Sequence, residues 1–100
     1  MRILCVCDRG VSRSPTIAAL LMNKGHEAIS LGCETSSQHT RRILAAWADK
    51  IILTDLGQRE RFSELDGRKT EVWPIADAYP RPHNPKLRLR VLREIRDRKL

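Results

Sequence analysis

Aromatic side chains are nearly missing from this 100-residue chain: Trp47, Phe62, Trp73 and Tyr79 make up the 4%. None is interleaved with the basic run near the C-terminus, which argues against a base-stacking nucleic-acid platform. Long apolar runs are missing too. Ile17–Met22 and Ile43–Ala48 are the longest, far below the roughly 18 residues that a membrane span needs. The apolar opening Ile3–Cys7 runs straight into Asp8 and Arg9, too brief for a signal-peptide core. A cytoplasmic protein with no membrane partner is expected. His26, His39 and His83 lie without metal-ligand spacing, so no metal and no cofactor are expected. Cys5, Cys7 and Cys33 are an odd count, which fits a reducing compartment better than a disulfide framework.

Apolar residues make up 41% and charged residues 31%, enough to bury one core and too balanced for disorder. The length suits a single domain over residues 1–100. The net charge of +7 is unevenly spread. Lys86–Leu100 carries seven basic residues against Glu94 and Asp97, a balance of +5, leaving +2 for residues 1–85. That basicity reads most simply as a solvated helix face whose arginine stems cover apolar surface. A basic rim that steers an anionic substrate stays open beside it.

Strand-like and helix-like patterns alternate along the chain. Arg2–Cys7 reads as a strand, Asp8–Ser12 as a turn, and residues 13–24 as a helix closed by Gly25. His26–Leu31 is a second strand. Ser37–Ala48 is an amphipathic helix carrying Ile43, Leu44 and Trp47, and Lys50–Thr54 is a third strand. Asp55–Leu65 suits a short helix. Thr70–Ile75 suits a fourth strand, with Pro74 near its end. Asn84 and Pro85 open a last helix that turns Leu87, Val91, Leu92 and Ile95 inward. Trp47 and Trp73 read as core. The sum is an α/β fold: a four-stranded parallel sheet with helices on both faces and right-handed crossovers. Ligands of such sheets bind beyond the carboxyl ends of the strands.

The loop at the end of the first strand reads Cys7-Asp8-Arg9-Gly10-Val11-Ser12-Arg13-Ser14, or C-x-x-G-x-x-R-S. A tight turn from a strand into a helix N-terminus gathers backbone N–H groups into an anion cradle. Asp8, Arg9, Gly10, Val11, Ser12, Arg13 and Ser14 are therefore candidate phosphate-binding positions. Arg13 can hold two phosphoryl oxygens with its planar fork. Cys7 at the base is placed as a nucleophile, because the same positive potential favours a thiolate. Gly10 supplies the backbone freedom, and the Ser14 hydroxyl can donate to the sulfur. A cysteine and an arginine at this spacing arise by chance roughly 0.4 times in such a chain, and requiring the glycine and serine lowers that to about one in a thousand. Asp77, after the fourth strand, is expected at the same sheet edge as general acid, and as base in a second half-reaction. The plain alternative for Asp77 is a turn before the proline-rich stretch, and for Tyr79, a pocket wall for an aryl phosphate, a structural tyrosine.

This loop directly after an N-terminal strand, with Asp77-Ala78-Tyr79 after the last, resembles the low-molecular-weight protein tyrosine phosphatase family, in its compact microbial form. The resemblance covers most of the chain. It implies a metal-independent phosphatase with Cys7 as nucleophile, Arg13 binding phosphate, Ser14 supporting the thiolate and Asp77 as acid. It implies a phosphorylated protein or small aryl phosphate as substrate, and inorganic phosphate as product. The chain departs from the family in having Gly10 alone inside the loop, Ser12 where a second cysteine is usual, and Ala78 where proline is usual. Residues 10–16 also look like the loop of dual-specificity phosphatases. Those place their acid before the loop, and only six residues precede Cys7, so that likeness is read as convergence.

The function read from the sequence is a cysteine-dependent phosphomonoester hydrolase acting through phosphocysteine. One alternative is a phosphocysteine carrier of the sugar phosphotransferase type, against which Arg13 and Asp77 argue. A second is a non-catalytic phosphate or nucleic-acid binding module. Arsenate reduction on this fold needs more cysteines beyond the loop than Cys33. Asp8, beside the nucleophile, is expected to point to solvent, since its charge opposes both thiolate and phosphate. Cys5 reads as core, and a reversible Cys7–Cys33 disulfide is an open expectation.

Overall fold

Four strands, β1 (Arg2–Cys7), β2 (Glu27–Gly32), β3 (Lys50–Leu53) and β4 (Thr70–Val72), form one parallel sheet in the order β2-β1-β3-β4. The computed structural model describes residues 1–63, 66–79 and 81–100. β1 lies inside the sheet, with Cys7 opposite Gly32 on one side and Val6 opposite Leu53 on the other. Every residue from Ile3 to Cys7 is buried, as expected for a parallel strand covered on both faces.

Alternation along β1 sorts the core into two layers. Ile3 and Cys5 join Ile17 and Leu21 of α1 (Arg13–Asn23), Trp73, and Leu87, Val91 and Ile95 of α3 (Pro85–Asp97). Leu4 and Val6 join Leu31, Ala45 and Ala48 around α2 (Gln38–Trp47). Each fully buried Leu or Ile contributes about 1.5–3 kcal/mol of transfer free energy. α2 is capped by Ser37, whose hydroxyl accepts from the Thr40 N–H. α3 is capped by Asn84, which accepts from Lys86 ahead of its Pro85 start. Gly25, at φ +93°, ends the α1 corner in open space.

Several expectations are corrected. β4 stops at Val72 rather than Ile75: Pro74 lacks an N–H, although Trp73 and Ile75 still donate to the carbonyls of Leu53 and Thr54. Ile43 and Leu92 are exposed, at 54% and 38%. The inward line of α3 is Leu87, Val91 and Ile95, every fourth residue, and Leu92 falls beside it. On α2 the small Ala45 is the buried contact, with Trp47 half-buried against the same layer. The short helix is a 3-10 turn, Leu56–Arg61, and residues 64 and 65 of the expected helix lie outside the described residues.

The basic residues of α3 are partly tied down. Arg98 pairs with Glu71 and Glu94 and lies over the Trp73 ring, 5.6 Å from its centre. Arg90 pairs with Glu94 and donates to the Pro74 carbonyl. These contacts cover the outer edge of β4, where unpaired backbone would otherwise invite another strand. Among the described residues no helix is long and apolar enough to cross a membrane.

Candidate active site

The loop between β1 and α1 lies flat against the end of β2, and that contact shapes it. The carbonyls of Cys7 and Asp8 accept the N–H groups of Cys33 (2.9 Å) and Glu34 (2.8 Å). The Arg9 carbonyl accepts the Thr35 hydroxyl at 3.3 Å. With three successive carbonyls held by the segment just after β2, the N–H groups of the same peptide units, those of residues 8–10, face the other way. Gly10, at φ +72°, makes the reversal, and its N–H donates to the Cys7 sulfur at 3.2 Å. Ser14 is fully buried behind that sulfur, with Oγ at 3.1 Å from Sγ. Ser12 occupies the α1 N-cap without its side chain accepting a bond from the first turn, and that turn holds no acid, so the positive end of the helix dipole is uncompensated there.

Above the sulfur is a cavity of about 180 Å³ lined by Cys7, Arg9, Val11, Ser12, Arg13, Asp77 and Tyr79. Asp77 leaves the carboxyl end of the sheet after β4, as the topology requires, and its side chain is 67% exposed. Tyr79 lines the cavity and also packs against the α1–α3 layer. Each lining residue is one that the sequence singles out. Asp8, Gly10 and Ser14 are not in the lining; Gly10 and Ser14 contact the sulfur instead.

Arg13 is 3% exposed, a charge taken almost fully out of water. Its Nη1 donates to the Ile75 carbonyl at 3.0 Å and its Nη2 to Asp8 Oδ2 at 3.3 Å. Its Nε stands 3.8 Å from Asp77 Oδ1 and is, among the described residues, a buried side-chain nitrogen with no hydrogen-bond partner. Leaving such a donor unpaired costs about 1–3 kcal/mol.

Asp8 is 37% exposed but is not turned freely to solvent. Its carboxylate bridges Arg13 and Gln58, whose Nε2 donates to Asp8 Oδ1 at 2.9 Å. The pairing offsets the repulsion that had suggested the outward orientation. Cys33 belongs to the α2 layer, whereas Cys7 contacts Ser14 of α1. All three cysteines are free thiols. Burial, reinforced by the neighbouring Cys7, pushes the Cys5 thiol far above its usual range. Burial likewise raises Cys33, with Asp8 and Glu34 adding to it against Arg61. Neither is disposed to be a nucleophile.

No family model and no curated protein matches the chain, but solved structures do. The YwlE arginine phosphatase from Geobacillus stearothermophilus superposes with a TM-score of 0.69 at 24% identity, over 98% of this chain and 92% of that one. Vibrio vulnificus Wzb, solved in complex with benzylphosphonate, gives 0.70 at 16% identity, over 99% and 98%. A low-molecular-weight protein tyrosine phosphatase from Bacillus subtilis gives 0.65 at 11% identity, over the whole of both chains. This chain has the low-molecular-weight phosphatase fold. Near-complete coverage on both sides means that the fold is shared from β1 to α3, not only at the loop.

Three contributors escape a reading by residue type. Gly32 sits so close to the loop that a Cβ there would lie 2.3 Å from the Arg9 carbonyl carbon. The Ile75 carbonyl holds Arg13 by its backbone alone. Gln58 reaches Asp8 across 50 positions.

Proposed function

We propose that this chain is a cysteine-dependent phosphomonoester hydrolase of the protein tyrosine phosphatase type, acting on an aryl phosphate or a phosphotyrosine protein through phosphocysteine. One observation carries the reading: the Cys7 sulfur, which accepts the Gly10 N–H and lies 3.1 Å from the Ser14 hydroxyl, sits in the lining of a cavity that also bears an anchored arginine and an exposed aspartate.

In the first half-reaction the Cys7 thiolate attacks phosphorus. The S–P bond forms as the P–O ester bond breaks, and Asp77 protonates the departing oxygen. Charge on the equatorial oxygens is met by loop N–H groups and by the Nε and Nη2 edge of Arg13. In the second, Asp77 takes a proton from water as water attacks phosphorus. The S–P bond then breaks, Ser14 supports the departing thiolate, and inorganic phosphate leaves. Every proton is returned, so the enzyme emerges unchanged. Val11 and Tyr79 flank the entrance with apolar surface suited to an aromatic leaving group.

Arg13 and Asp77 beside the sulfur favour hydrolysis over a carrier, which must preserve its phosphocysteine. The ion pairs that occupy Arg90 and Arg98 favour a structural α3 over a nucleic-acid surface. The test is hydrolysis of an aryl phosphate and a phosphotyrosine peptide without added metal, by the wild type, Cys7→Ser and Asp77→Asn. Turnover abolished by the first substitution and strongly reduced by the second supports the proposal. Phosphate binding without turnover overturns it in favour of a binding module.

A further inference from the structure

Outside the cavity, a chain of hydrogen bonds runs from the 3-10 turn to the back of Arg13. Gln58 is 3% exposed. Its Oε1 accepts the N–H groups of Thr54 (2.8 Å) and Asp55 (3.2 Å). Its Nε2 donates to Thr54 Oγ1 (3.0 Å) and Asp8 Oδ1 (2.9 Å). The amide orientation is forced: turned over, it would set an oxygen against a carboxylate and an NH₂ against two N–H groups. Asp8 passes the contact on, its Oδ2 accepting from Arg13 Nη2 at 3.3 Å.

A carboxylate one residue from the nucleophile repels both thiolate and phosphate, so its presence demands a compensating role. The geometry of Arg13 supplies one. Nη1 is fixed by the Ile75 carbonyl and one Nη2 proton by Asp8, which stops the guanidinium plane from rotating. Of the three N–H groups left, Nε, 3.8 Å from Asp77 Oδ1, and the second Nη2 proton share one edge of the plane and form the fork.

We propose that Gln58 and Asp8 are positioning residues for Arg13: Gln58 fixes the Asp8 carboxylate, and Asp8 fixes the guanidinium plane in which the phosphoryl oxygens are met. This rests on the phosphatase reading above. Neither the Asp8 nor the Gln58 side chain lines the cavity above Cys7. Their effect therefore falls on the transition state, where the fork binds most strongly, more than on ground-state binding.

Gln58→Glu is the informative variant. The introduced carboxylate keeps an oxygen acceptor for the Thr54 and Asp55 N–H groups, so the turn stays capped, and it replaces the donor to Asp8 by an acceptor. The measurements are kcat and KM on an aryl phosphate, inhibition by vanadate as a transition-state mimic, and melting temperature. We expect kcat to fall and vanadate inhibition to weaken, each about tenfold, with KM changed less than about threefold. Asp8→Asn, at a side chain 37% exposed, should give the same signature even if Gln58→Glu melts early. The double variant should be no worse than the weaker single, as for residues acting in series. Wild-type kcat and vanadate inhibition in either folded variant, or losses that multiply in the double variant, overturn the proposal. A wild type that neither turns over aryl phosphate nor binds vanadate overturns this proposal and the phosphatase reading together; an active wild type with indifferent variants overturns this one alone.

Discussion

The Arg13 guanidinium donates to the Ile75 carbonyl at 3.0 Å, joining the loop after β1 to the segment that delivers Asp77 two residues later. Candidate nucleophile loop and candidate acid are thereby held in register by one buried side chain. Arg13→Lys keeps the charge but has neither the planar fork nor the reach to satisfy carbonyl, Asp8 and phosphate together. It should lower kcat by about 10²–10³, with weaker vanadate inhibition in the same assay.

Ser14→Ala removes the hydroxyl 3.1 Å from the Cys7 sulfur. Attack and release both pass through the thiolate, but only release needs it as a leaving group. Phosphocysteine hydrolysis should therefore slow more than its formation. Rapid-quench kinetics should show a burst approaching one equivalent of aryl alcohol, followed by a steady rate reduced by about tenfold or more.

Gly32→Ala and Gly25→Ala should behave very differently. At Gly32 the new Cβ meets the Arg9 backbone at 2.3 and 2.5 Å, and neither side can move without releasing the loop. A loss of roughly 2 kcal/mol or more and weakened phosphate binding are expected. At Gly25 nothing lies within 4 Å, and the positive φ alone costs about 1 kcal/mol, with phosphate binding unchanged. Urea denaturation and phosphate titration of both variants check this.

Burial opposes ionisation of Glu71 and Glu94, but hydrogen bonds outweigh it. Lys50, Trp73 and Arg98 bond Glu71, and Arg98 and Arg90 bond Glu94, so both carboxyls are held below the usual glutamate range. A depressed folded-state value contributes stability that is present above the unfolded value, about 4.3, and is lost as pH falls through the folded one. Stability to urea should hold from neutral pH to about 5 and decline below it. Glu71→Gln should cost about 1–2 kcal/mol at pH 7 and shallow that acid decline.

The parts of the site legible in the sequence are those written contiguously or dictated by topology. Cys7 to Ser14 run strand, turn, helix without a break, so residue types and order carried the cradle. Asp77 followed from the rule that parallel strands end at one edge. Illegible were contacts between distant segments and contacts made by backbone. The Ile75 carbonyl has no residue-type signature, and Gly32 looks like any strand-end glycine. Asp8 was misplaced because its neighbours in sequence offer no partner, while Gln58 lies 50 positions on. Cys7 and Cys33 are close through the backbone, with a 2.9 Å bond from the Cys33 N–H to the Cys7 carbonyl, a contact that carries no residue-type signature.

The most direct test of the central claim is acid-quenched intact-mass and peptide mass spectrometry of Asp77→Asn mixed with an aryl phosphate. In the proposed mechanism phosphocysteine hydrolysis needs the base that this variant lacks, so one phosphoryl group should accumulate, and peptide mapping should place it on Cys7. Turnover with no phosphoryl group on Cys7, or turnover retained by Cys7→Ser, would contradict the account.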